Sequence, residues 1–226
     1  MGALWLQQAL AICAKDIRLG LRERTAVTSV LLFSVTSIVI VGFALSGSAA
    51  MADASTPILW VVLFFAAFSG LEQAFVEEEE SGTALALRVV AYPEAVYVGK
   101  LLYNVVLLTA VGVVIVPLFL AVTGLPIPHA GRFVGVVMGG IAALGSSATI
   151  VGAIIAKAHS HGALFGALGF PIVLPLLMMA VVATRRAIGV DGDDWSWMRD
   201  VGGLASYAVM MVAASVLVFP SIWEST

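Results

Sequence analysis

Charged residues are bunched along this chain, and between the bunches lie long stretches with almost none. Six of them, at 26–45, 57–75, 101–123, 133–156, 163–184 and 201–223, approach the roughly 20 apolar residues needed to cross a hydrocarbon layer of ~30 Å. None alternates polar and apolar positions as a barrel strand would, and lipid cannot satisfy a bare backbone, so each predicts a helix. Glu72, at the end of the second stretch, is the exception to their lack of charge.

The segment 4–24 has a different pattern. Leu6, Leu10, Cys13, Ile17 and Leu21 recur at helical spacing, and Gln7, Lys15, Arg18 and Arg22 avoid that stripe. This predicts a basic amphipathic helix lying in the membrane interface, with Trp5 as an anchor at headgroup level. Its basic residues follow the apolar stretch, unlike those of a cleaved signal peptide. The simpler alternative is that this segment only begins the first span. The expected fold is therefore an all-α membrane protein: six transmembrane helices, an interfacial helix and one permease domain over 1–226. A short cytoplasmic helix at Thr83–Val90, closed by Tyr92-Pro93, would stand between spans two and three.

Composition agrees. Of 226 residues 61% are hydrophobic and 11% charged, against roughly 25% charged in soluble domains. A net charge of −3 without a clustered basic face argues against nucleic acid. A single cysteine, Cys13, excludes an internal disulfide and a cysteine-based zinc site. Orientation follows from Lys and Arg. With the N-terminus inside, Lys15, Arg18, Arg22, Arg24, Arg88, Lys100 and Lys157 fall inside, and Arg132, Arg185, Arg186 and Arg199 outside. Both termini are then cytoplasmic. Asp191, Asp193, Asp194, Trp195 and Trp197 would form a wet lid on the outer face.

Candidate chemistry is sparse. Phosphate-binding, nucleophile-elbow and zinc-protease motifs are missing from the sequence, so no enzyme is expected. Glu77, Glu78, Glu79 and Glu80 follow the second span directly. Successive helical positions diverge by about 100°, so these carboxylates cannot converge on a metal. They read either as a solvated charge run or as a docking surface for a partner with a basic rim. His159 and His161 sit in a short loop, and His129 follows Pro126 and Pro128; solvated histidines are the simpler reading of all three. Pro117 falls within the third span, and Pro171 and Pro175 within the fifth. Each would bend its helix and free a carbonyl, as static shape or as a hinge. Gly135 and Gly139 make a small-residue packing pair.

The ordered set resembles the membrane subunit of an ABC-2-type transporter, and more specifically the CcmB family of haem exporter permeases in cytochrome c maturation. The residues that carry the likeness are the 15–22 segment, Leu71-Glu72 with Phe75, Glu77 to Glu80, Ser81-Gly82-Thr83, Pro93, Gly99-Lys100-Leu101, Leu144-Gly145 and the 170–177 segment. The unbroken run of four Glu departs from the family's more mixed pattern. The resemblance implies a partner ATPase, CcmA-like, docked near Glu77, Glu78, Glu79, Glu80, Gly82, Thr83, Leu85 and Leu87, with ATP hydrolysis on that partner. It implies CcmC-like and CcmD-like membrane partners, a second copy of this chain, and a bacterial inner-membrane location. Haem is then a transported or handled species, with no cofactor bound directly. A permease for another lipophilic substrate, and a non-transporting assembly subunit that passes strain to a haem-handling partner, remain open beside it.

Overall fold

The computed structural model describes residues 2–22, 24–45, 47, 51–80, 82–157, 169–189 and 197–224. They form eight α-helices and, among the described residues, no strand. The helices are α1 (Gly2–Arg22), α2 (Arg24–Leu45), α3 (Met51–Glu80), α4 (Thr83–Val90), α5 (Pro93–Thr123), α6 (Ala130–Lys157), α7 (Phe170–Ala187) and α8 (Trp197–Glu224). Among the described residues, five are long and apolar enough to cross a membrane: α2, α5, α6, α7 and α8. The expected second span falls in α3, whose apolar part, Asp53–Ser69, is shorter. Residues 163–168, the expected start of the fifth span, lie outside the described residues, and α7 runs on to Ala187.

The breaks have local causes. Gly82 has φ 72°, a left-handed conformation that glycine adopts without strain, and it separates α3 from α4. Pro93 opens α5, where its missing N–H costs nothing, and forces Tyr92 into extended backbone. Gly124, with φ 62°, closes α5 by donating its N–H to Leu120 O at 2.9 Å.

Helix α6 is the axis of the bundle. It packs against α3, α5, α7 and α8, and every residue from Ala143 to Ala153 is buried. Its small residues let neighbours approach closely. A Cβ on Gly140 would stand 2.0 Å from the Trp60 ring, so only glycine fits there. Trp60 is itself buried and donates from Nε1 to Thr184 Oγ1 at 2.8 Å. One turn of glycine and tryptophan thereby joins α3, α6 and α7. Asn104 on α5 donates to Thr149 on α6 at 2.6 Å, a second buried polar tie. Ser146, Ser147 and Thr149 return their hydroxyl protons to carbonyls of their own helix, so a buried helix carries them without orphaned donors.

Candidate functional site

The loop between α3 and α5 is built around α4, an eight-residue helix in which Ala84 is the fully buried residue. Leu85, Val89 and Val90 are 61%, 86% and 74% exposed, and Thr83 and Tyr92 are exposed as well. Leu87 is half-buried and packs on the core. The helix is fastened at both ends. Gln8 on α1 donates to Val90 O at 3.2 Å and accepts from the Tyr92 N–H at 3.3 Å. At the other end Thr83 Oγ1 donates to Glu78 O across the Gly82 break. Between them the Arg88 guanidinium lies 5.1 Å from the centre of the Trp223 ring on α8.

Directly beneath α4 lies a cluster of charges. Lys100 on α5 is fully buried, with its ammonium 2.8 Å from Glu78 Oε2 and 3.6 Å from Asp16 Oδ2. Lys15 pairs with Glu78 Oε1 and lies 3.1 Å from Asp16 Oδ1. Lys100 also caps the Phe75 ring at 4.6 Å. Two cations and two anions from three helices thus cancel in one place. Burial alone would raise the Glu78 carboxyl, but Lys100 and then Lys15 outweigh it and hold the group below the usual carboxylate range. Burial likewise opposes the Lys15 charge, yet Glu78 and Asp16 hold its ammonium above the usual value. An aromatic layer continues from the quartet. Phe219 on α8 sits 6.5 Å from Phe75, 5.5 Å from Tyr97 and 5.4 Å from Trp223, centre to centre.

The leading helix α1 runs beside α5 in the same direction. Gln8 meets Val90 and Tyr92, Ile12 meets Gly99, Asp16 meets Lys100, and Gly20 meets Tyr103. A Cβ on Gly99 would stand 2.8 Å from Ala9 O and Ile12 Cβ, so the approach depends on that glycine. The stripe expected on α1 divides. Cys13 is buried with Ala9, Ile12 and Asp16, while Leu6, Leu10 and Leu21 face outward from the chain. Trp5 is half-buried, and Arg18 and Arg22 are exposed.

Of the four consecutive glutamates, Glu78 points inward into the quartet; the side chains of Glu77, Glu79 and Glu80 lie outside the described residues. Because helical neighbours diverge, a run of four cannot keep all its carboxylates on one face. Pro117 is exposed inside α5. Pro171 falls in the first turn of α7 as described, where a missing N–H is tolerated, and Pro175 lies inside the helix. Nearby, the Tyr207 hydroxyl on α8 donates to Ile172 O, one residue from the carbonyl that Pro175 frees. Pro57 and Pro220 also lie inside helices, α3 and α8. His129 is half-buried just before α6. His159, His161, Asp191, Asp193, Asp194 and Trp195 lie outside the described residues. Among the described residues no three His, Cys, Asp or Glu side chains gather as a metal site.

At the far end of the bundle Arg185 pairs with Asp53 and Arg186 with Asp200, each at 2.7 Å. Arg132 lies 5.9 Å from the centre of the Trp197 ring.

Sequence reasoning missed the quartet. Lys15, Asp16 and Lys100 were legible as charges beside apolar segments, but nothing in their spacing announces that they meet Glu78.

Apolar helices around a buried axial helix, with a small fastened helix at one end, define a multi-pass helical membrane protein. The chain belongs to the CcmB protein family, whose profile matches residues 7–219. It is thus a membrane permease subunit of the haem ABC transporter of cytochrome c biogenesis, an inner-membrane component that works with an ATPase partner and is not itself the catalytic subunit. No curated protein matches the chain.

Proposed function

We propose that this chain couples a CcmA-like ATPase to haem export, or to loading of a haem chaperone, by seating α4 in a cleft of that partner. The observation that carries the reading is the outward face of α4. Leu85, Val89 and Val90, with Tyr92 just beyond the helix, form an exposed apolar patch on an element anchored at both ends. A helix held in this way keeps its shape while pushed, and its apolar face gains by leaving water. Glu77, Glu79 and Glu80 would supply an acidic rim that steers a basic partner surface, with Gly82 and Thr83 at the pivot.

The reading includes six spans, with α3 as the sixth because its helix continues unbroken beyond the apolar part to Glu80. It includes both termini in the bacterial cytoplasm, on the side of α4, and a single permease domain. Two copies would face two ATPase copies, by the two-fold symmetry common to such assemblies. CcmC-like and CcmD-like subunits would receive haem, which this chain handles as cargo.

Co-purification with the ATPase tests the docking. Leu85→Asp with Val89→Asp should abolish recovery of the partner, and reversing Glu77, Glu79 and Glu80 to Lys should weaken it. Full recovery with the first pair would overturn the reading.

A further inference from the structure

Buried ion pairs are poor stabilisers compared with apolar packing of the same volume, because desolvation consumes most of the attraction; their best-attested use is to specify one arrangement over another. The Lys15–Asp16–Glu78–Lys100 quartet also has an unusual mechanical position. Glu78 stands four residues before the Gly82 break, and its carbonyl accepts from Thr83, the first residue of α4. Asp16 stands two turns after Gln8, which grips the other end of α4. Both attachments of α4 therefore lead to helices that the quartet joins, and Lys100 fixes the junction to α5, which crosses the bundle. A displacement of α4 through these two attachments would load the pairs, alongside its contact with Trp223 on α8 and its chain link to α5.

We propose that the quartet is a latch for the permease cycle. Closed, it binds α1 and α3 to Lys100 on α5; the stroke delivered through α4 opens it and frees α1 from α5. Lys100 and Glu78 are positioning residues in this scheme, acting through α4. The inference rests on the docking of α4 proposed above.

The chain carries its own reporter. Cys13, its single cysteine, is buried on the face of α1 that also carries Ile12 and Asp16. Burial, and secondarily the Asp16 carboxylate, push its thiol up, so the closed latch keeps it unreactive. Separation of α1 from α5 would uncover it.

The experiment is maleimide labelling of Cys13 in the purified complex with the ATPase, followed on this chain by mass, with and without a non-hydrolysable ATP analogue. The analogue should raise the labelling rate roughly tenfold, as a shift from about 1% to about 10% open latch would. Glu78→Gln should keep the ATPase bound but label fast without nucleotide, and Lys100→Arg, which keeps the charge, should retain slow, nucleotide-dependent labelling. An intact complex whose wild-type Cys13 labels at one rate whatever the nucleotide overturns the latch and leaves the docking of α4 standing. Failure of the wild-type chain to hold the ATPase overturns both.

Discussion

The two ends of the bundle use the same kind of interaction in opposite surroundings. At the end that carries α4, Lys100 is fully buried and shares Glu78 and Asp16 with Lys15. At the far end Arg185 meets an Asp53 side chain that is 67% exposed. The distances are alike, 2.8 Å for Lys100 to Glu78 and 2.7 Å for Arg185 to Asp53, so geometry does not distinguish them. Solvent does. Exposed pairs contribute about 0–1 kcal/mol because water and salt screen them, whereas removing one member of a buried pair leaves an uncompensated charge. The Lys100 cluster is built to be all or nothing, and the Arg185–Asp53 pair to tolerate change.

Lys100→Met should be the most damaging single change, at about 3–5 kcal/mol, because Glu78 and Asp16 would lose their buried cation. Unfolding of the purified chain in a graded denaturing detergent would measure it. A loss no larger than that of Arg185→Met would erase the contrast. Gly140→Ala should cost about 1–3 kcal/mol by forcing a methyl group into the Trp60 ring. The same assay should then show Trp60→Phe partly relieving the clash while giving up the bond to Thr184.

The pH response sharpens the comparison. Glu78 is held below its usual value, so its contribution is complete above about pH 4.3 and is lost as pH falls through the lower folded value. Lys15 is held above its usual value, so its contribution is complete below about pH 10.4 and is lost as pH rises through the higher one. Thermal stability should thus owe little of any change between about pH 5 and 9 to this cluster. Glu78→Gln should flatten the acid limb, and an acid limb identical in that variant would deny Glu78 its role. Asp53→Asn should be the mildest change, within about 1 kcal/mol and smaller still in high salt.

Much of the fold was readable from period and length. The break at Gly82, the helix Thr83–Val90 and the restart at Pro93 follow from a glycine and a proline whose backbone preferences are local. The glutamate run shows where such reading ends. Four like residues in a row look like one surface, yet the helix turns each to a different azimuth, and Glu78 faces inward. The apolar stripe of α1 and the face that α1 buries in the protein differ for a related reason. In lipid an apolar side chain gains little by choosing protein over hydrocarbon, so hydrophobicity alone cannot say which face packs.

By itself the sequence determined that this chain is a helical membrane protein, where most of its helices run, and that it carries the marks of a CcmB permease. Those properties depend on local backbone preference and on apolar length, which are written in order along the chain. Only the tertiary structure decided that Lys15, Asp16, Glu78 and Lys100 meet, that Trp60 occupies the space left by Gly140, and that the exposed face of α4 is apolar. These are contacts between residues far apart in sequence, and a buried charge is tolerable only where its partner already waits.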